Sequence, residues 1–121
     1  MTKTVSELAD DIWRIRLGLV DINKSPTAAQ RAMVEALYEQ KFAELSIQDK
    51  TYWPASEIPE LVFGALSRIL AEEICIGRRL PIPTEPDDDG QPLTIGAKGW
   101  RLFHRVIARE RTGLPTQASY F

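Results

Sequence analysis

The chain has 121 residues, of which 44 % are hydrophobic and 26 % charged, as is typical of one soluble globular domain. The formal net charge of −2 excludes a molecule that attracts polyanions through its overall charge, so nucleic-acid contact would need a local basic stripe. Met1 to Asp11 contains no apolar signal-peptide core, and no apolar run reaches about eighteen residues, so we expect neither signal-peptide export nor a membrane span.

The first predicted helix begins at Thr4, because Thr4 and Glu7 have the spacing of a capping box. Apolar residues then recur at alternating steps of three and four, which predicts one helical face made of Val5, Leu8, Ile12, Ile15, Leu19 and Ile22. Gly18 interrupts this face and indicates either close packing or an early end of the helix.

Two further helices are predicted before residue 80. Ser25 and Pro26 suit the N-cap and the first turn of the second helix. Its apolar stripe comprises Val34, Leu37, Tyr38, Phe42 and Leu45. Ser56 is the predicted N-cap of the third helix, which is apolar over so much of its circumference that we expect it at the centre of a bundle. Gly77 and the prolines beyond it predict where this helix ends.

The stretch from Pro81 to Pro92 is rich in Pro, Asp and Gly and predicts a solvated loop. A fourth helix is predicted from about Leu93 or Ile95 to Arg111, with glycines weakening its first turns. No run shows the alternation of a strand. We therefore predict an all-α fold, a four-helix bundle-like domain over residues 1–112 with an extended C-terminal arm over residues 113–121.

The fourth helix carries a row of basic residues, called here the basic stripe, at steps of three, four and four: Lys98, Arg101, Arg105 and Arg109. A largely separate apolar side comprises Trp100, Phe103, Val106 and Ile107. Such a stripe can track phosphates or pair with an acidic partner surface, and an ordinary solvated face is the alternative.

The C-terminal arm ends in apolar and aromatic residues, namely Leu114, Pro115, Tyr120 and Phe121. A solvated terminus is normally polar, and aromatic residues are typical anchors of interfaces. We expect the arm to dock, either on its own core or on a neighbouring molecule.

The residue types of enzymes and metal sites are present without their usual spacing. The acidic run from Glu85 to Gly90 resembles a calcium loop, but Gly96 stands where the bidentate Glu would be needed. The single cysteine, Cys75, excludes an intramolecular disulfide and lies in an apolar helix, while the only histidine, His104, has no nucleophile at a recognisable spacing. We expect no enzyme activity, no cofactor and no metal site.

The segment from Tyr52 to Leu61 has the order Tyr-Trp-Pro-Ala-Ser-Glu-Ile-Pro-Glu-Leu and leads into a long apolar helix ending near Glu73. It resembles the aromatic-proline and Pro-Glu pattern of head-to-tail adaptor (connector) proteins of tailed bacteriophages. The closing run from Arg101 to Phe121, a basic helix followed by a tail ending in Tyr-Phe, is similar to the end of such adaptors. The resemblance covers about Trp53 to Phe121 and, loosely, the two preceding helices.

This resemblance implies a structural protein of the virion, found at the neck between head and tail and made in the cytoplasm of the host bacterium. Such adaptors form a homo-oligomeric ring, commonly a dodecamer, that binds the portal, bridges it to tail proteins and lets packaged DNA pass through its channel. Residues 114–121 would then be the arm that grips the portal or a neighbour, and the basic stripe would line the channel or meet an acidic portal surface. The acidic run at Asp87 to Asp89 leaves open which face looks inward.

The second hypothesis is a small helical DNA-binding regulator that places the fourth helix in a groove, with Arg101 and Arg105 on phosphates or bases. The long loop before the fourth helix argues against it, because a helix-turn-helix needs a short connection. A DNA complex that is lost on Arg101→Ala and Arg105→Ala would favour this hypothesis over the adaptor.

Overall fold

The computed structural model describes residues 2–113, with side chains as far as residue 109. The helical segments are α1 (Val5–Asp10), a π-helical segment (Asp11–Arg16), α2 (Ala28–Ile47), α3 (Glu60–Arg78) and α4 (Ile95–Gly113). The short strands are β1 (Thr2–Lys3), β2 (Ile58–Pro59), β3 (Thr84–Pro86) and β4 (Pro92–Thr94). The predicted all-α, bundle-like fold is confirmed.

Helix α1 begins as predicted, with a complete capping box between Thr4 and Glu7. The prediction of one helix reaching Ile22 is wrong, because the helix widens into the π-helical segment and ends at Arg16. The amide of Leu17 donates to the carbonyl of Ile12 at 2.9 Å, five residues back, and Gly18 follows with a φ of 63°. Since a π turn holds more residues than an α turn, the steps of three and four no longer keep one face.

Helix α2 begins two residues later than predicted. Thr27, and not Ser25, is its N-cap and forms a capping box with Gln30. The glutamine side chain accepts from the Thr27 amide at 2.8 Å, and the Thr27 hydroxyl accepts from the Gln30 amide at 3.2 Å, so both orphan donors are satisfied reciprocally. The predicted apolar stripe does face the core, with Val34, Tyr38 and Leu45 buried.

Helix α3 begins at Glu60, and the prediction of Ser56 as its N-cap is wrong. Ile58 and Pro59 are extended instead and pair antiparallel with Lys3 and Thr2. Pro59, whose ring fixes its φ, is extended, and the helix begins at the next residue. This ribbon ties the N-terminus of the chain to the start of the central helix.

Helix α3 occupies the centre, as predicted, and contacts α1, the π-helical segment, α2 and α4. Its closest approach is to α4, where a β-carbon on Gly99 would lie 2.7 Å from the carbonyl oxygen of Ala65. The glycine that weakens an isolated helix is therefore needed where the two backbones meet. At the N-terminus of α4, the carboxylate of Glu72 accepts from the amide of Gly96 at 3.1 Å.

The predicted solvated loop before α4 is a β-hairpin. Strands β3 and β4 pair antiparallel, with Glu85 opposite Leu93. The alternation of exposed and half-buried residues extends over only three residues in each strand, which is too short to be recognised as a pattern in the sequence. The hairpin leads directly into α4, since the hydroxyl of Thr94 accepts from the amide of Ala97 at 3.2 Å.

Candidate functional site: the basic stripe and a neighbouring cleft

The burial pattern of α4 separates two sides of the helix. Phe103, Val106 and Ile107 are buried in the core, whereas Arg101, Arg105 and Arg109 are exposed and Lys98 is half-buried. The four residues of the basic stripe thus lie on the side of α4 away from the core. This is the arrangement that the spacing of three and four predicts.

The β3–β4 hairpin lies against the basic stripe and brings acidic residues to it. The ammonium of Lys98 donates to the carbonyl oxygen of Pro86 at 2.9 Å. The guanidinium of Arg105 forms an ion pair with the carboxylate of Asp88. The acidic run and the basic stripe, which are separate features of the sequence, form one site in the fold.

The turn of the hairpin, residues 87–91, is called here the acidic tip, and its conformation depends on the side chain of Asp87. This carboxylate accepts from the amides of Asp89 and Gln91, both at 2.8 Å. Gly90 has a φ of 80° and donates from its amide to the carbonyl of Asp87. The hydrogen bond from Gln91 is the main cause that lowers the pKa of Asp87, while Asp89 and the nearby Arg101 and Lys98 lower it further.

The base of the hairpin is attached to α3 and to the π-helical segment. The guanidinium of Arg68 donates from Nε to both oxygens of Glu85 at 3.0 Å, and Arg16 lies 4.0 Å from the same carboxylate. Arg16 also pairs with Asp11, which accepts a hydrogen bond from the buried hydroxyl of Ser67. Because these side chains are mostly shielded from water, this network holds the hairpin more firmly than surface ion pairs would.

A cleft of about 330 Å³ opens beside α1, the π-helical segment and α3. Its walls carry both signs of charge around three apolar side chains, and they comprise Lys3, Glu7, Asp10, Asp11, Arg14, Ile15, Ile22 and Phe63. Ile15 is 54 % exposed and Ile22 is 59 % exposed, and Leu19 between them in sequence is 52 % exposed. We call these three isoleucine and leucine residues the apolar rim.

The two residues with possible catalytic chemistry lie apart from this cleft. Cys75 is buried in α3, where burial, together with the charge of Glu72, raises the pKa of its thiol. His104 is exposed on α4 and stacks on Trp100 with a ring-centroid distance of 5.7 Å.

Among the described side chains, no group of three or more His, Cys, Asp and Glu residues is placed to hold a metal ion. Within residues 2–113, none of the helices is both long and apolar enough to cross a membrane.

The predicted docking residues Leu114, Pro115, Tyr120 and Phe121 lie outside the described residues. Their role therefore stays a prediction from the sequence.

The sequence did not indicate the cleft or the apolar rim, because the periodicity placed Ile15, Leu19 and Ile22 on one continuous helical face. Gly18 was the one signal of the early helix end. The contact between acidic tip and basic stripe had a clearer signal, since three successive aspartates precede a helix with four basic residues on one side.

No protein-family model, no curated protein and no solved structure matches this chain. A functional inference therefore rests on the described contacts and on the sequence pattern. Two surface features bear most directly on function. They are the exposed apolar rim and the basic stripe, part of which has partners on the hairpin.

Proposed function

We propose that the protein is a structural interaction protein, a head-to-tail adaptor of a tailed bacteriophage that acts by contact and not by catalysis. In this proposal it assembles as a homo-oligomeric ring, a dodecamer, beneath the portal in the virion neck and connects it to the tail proteins. The packaged DNA passes through the ring. The observation that carries the proposal is the apolar rim beside the cleft, together with the adaptor-like pattern from about Trp53 to Phe121.

The apolar rim supports a protein contact because its residues are concentrated. Single exposed aliphatic residues are ordinary on protein surfaces, but here three of them fall within residues 15–22 and two line the same cleft. Burying one isoleucine side chain stabilises a contact by roughly 1.5–3 kcal/mol. The walls of the cleft also carry charged residues of both signs, and protein interfaces commonly combine apolar and polar groups.

A ring of identical copies needs two different surfaces on each copy, since its contacts run head to tail. The cleft offers one surface. A second depression of about 330 Å³, lined partly by Val5, Tyr38 and Ala55, offers another. A closed ring also repeats each weak contact, so neither surface has to be large.

The DNA-binding regulator has less support than the adaptor. A hairpin precedes α4 where a helix-turn-helix would need a short turn after another helix. Two residues of the basic stripe, Lys98 and Arg105, already have intramolecular partners on that hairpin.

The adaptor proposal is tested by measuring the mass of the assembly. The chain is mixed with the portal protein encoded in the same genome, and native mass spectrometry records complexes of the wild type and two double variants. The variant Ile15→Ser with Ile22→Ser alters the cleft. The control, Ile47→Ser with Ile76→Ser, alters two isoleucines that are 87 % and 61 % exposed and do not line it.

We expect a ring on the portal for the wild type and the control, and at least about tenfold weaker assembly for the cleft variant. A wild-type chain that stays monomeric with its portal would overturn the adaptor proposal. Equal assembly of the two double variants would instead show that the cleft is not the contact surface.

A further inference from the structure

We propose that the acidic tip is an intramolecular competitor of nucleic acid, which keeps the affinity of the basic stripe for duplex DNA low. The inference goes beyond the adaptor function and does not depend on it, because it rests on contacts within one chain. It concerns how strongly the basic stripe on α4 binds the phosphate backbone of DNA.

The acidic tip and its flanking strand engage the groups that a phosphate would need. Arg105 pairs with the Asp88 carboxylate, and Lys98 donates to the carbonyl of Pro86 at 2.9 Å. A guanidinium binds phosphate through the same N–H donors that it directs at a carboxylate. A phosphate that uses the same N–H donors must therefore displace Asp88 from Arg105 or the Pro86 carbonyl from Lys98.

Contacts within the chain already hold the acidic tip in position in the absence of DNA. Asp87 holds the turn through the two backbone hydrogen bonds that it accepts. The carboxylates of Asp88 and Asp89 are therefore not needed to hold the turn. The ion pair of Glu85 with Arg68 fixes the base of the hairpin. A tethered carboxylate near its arginine competes at a high effective concentration, which a dissolved anion lacks.

The competition is graded, because the pair is exposed. Arg105 and Asp88 have side chains that are 53 % and 64 % exposed, and such pairs are individually weak. The aspartates of the tip also repel phosphates at distances within the Debye length of about 10 Å at 0.1 M salt. The tip thus lowers the affinity for DNA without closing the surface.

The experiment compares DNA binding of full-length variants by fluorescence anisotropy with a labelled duplex of random sequence, over a range of salt concentrations. The variant Asp88→Asn with Asp89→Asn removes two charges from the tip and leaves Asp87 to shape the turn. The matched control, Glu44→Gln with Glu57→Gln, removes two charges from exposed positions that line neither depression. Circular dichroism checks that each variant is folded.

We expect the tip variant to bind the duplex about tenfold more tightly than the wild type at low salt. The slope of log affinity against log salt should steepen by roughly 0.9 for each additional phosphate that the variant neutralises. Adding Arg101→Ala and Arg105→Ala to the tip variant should return the affinity to the wild-type level. The control should tighten binding far less.

Equal tightening by the tip variant and the control would overturn the proposal, because net charge alone would then explain the effect. No tightening by the tip variant would overturn it as well. Tightening that survives the loss of Arg101 and Arg105 would place the DNA-binding surface elsewhere and would also contradict it.

Discussion

Gly99 on α4 lies so close to Ala65 on α3 that a β-carbon at Gly99 would come within 2.7 Å of the Ala65 carbonyl oxygen. The same β-carbon would lie 2.9 Å from the β-carbon of Arg68, whose guanidinium holds Glu85. The packing of these two helices and the position of the hairpin therefore depend on one residue without a side chain.

We expect Gly99→Ala to destabilise the fold by about 1–3 kcal/mol, since backbone atoms cannot move aside as a flexible side chain can. This loss exceeds the stabilisation of up to about 1 kcal/mol that alanine gives inside a helix. Urea unfolding followed by tryptophan fluorescence measures the difference. The control is Gly77→Ala on α3, where a β-carbon would meet nothing within 4 Å and should stabilise the protein by roughly 0.5–1 kcal/mol. Two stabilised variants would contradict the close approach.

Tyr38→Phe should destabilise the core by about 1–3 kcal/mol, because it leaves two polar groups without their partner. The Tyr38 hydroxyl donates to the carbonyl of Ala55 at 2.8 Å and accepts from the indole N–H of Trp53 at 3.2 Å. Unfolding in guanidinium chloride measures the free energy of unfolding of each variant. A Trp53→Phe variant and the double variant complete a cycle that isolates the hydroxyl–indole interaction. If Tyr38→Phe lowers the free energy of unfolding by no more than about 0.5 kcal/mol, as ordinary surface substitutions do, the hydrogen bonds of this hydroxyl contribute little.

The acidic tip should lose its order on acidification. The pKa of Asp87 is lowered from its ordinary value of 3.8 in the folded protein. The stabilisation from the ionised carboxylate is thus complete above that ordinary value and is lost as the pH falls through the lowered pKa. Amide chemical shifts of Asp89 and Gln91, followed by NMR from about pH 6 to about pH 2, report the change. An Asp87→Asn variant should show little of this titration, and an unchanged wild-type spectrum would refute the assignment.

Removal of residues 114–121 should leave a folded chain that no longer attaches to its partner. If the arm docks on a partner, as the sequence predicts, the unfolding free energy of the shortened chain should change by only about 0.5 kcal/mol. Attachment is measured by sedimentation with the portal protein. The substitution of Tyr120 and Phe121 by serine tests the aromatic anchors without shortening the chain. Full attachment after the deletion would refute the docking arm, while loss of folding would indicate that the tail packs on its own core.

The elements that depend on local chemistry could be predicted from the sequence. The capping box at Thr4, the apolar stripe of α2, the central α3 and the two sides of α4 all follow from spacing within a few turns of helix. The all-α fold follows from them. These features need no knowledge of what lies opposite, since the residues that decide them are neighbours in the chain.

The places where those elements meet became visible only in the folded chain. Ile15 in the π-helical segment and Ile22 beyond its end are exposed, although periodicity places both on one apolar helical face. The hairpin is anchored to α3 by the ion pair of Glu85 with Arg68, seventeen residues away, and its tip pairs with part of the basic stripe. Each of these outcomes depends on pairs of groups that are distant in sequence, and a local pattern carries no information about such pairs.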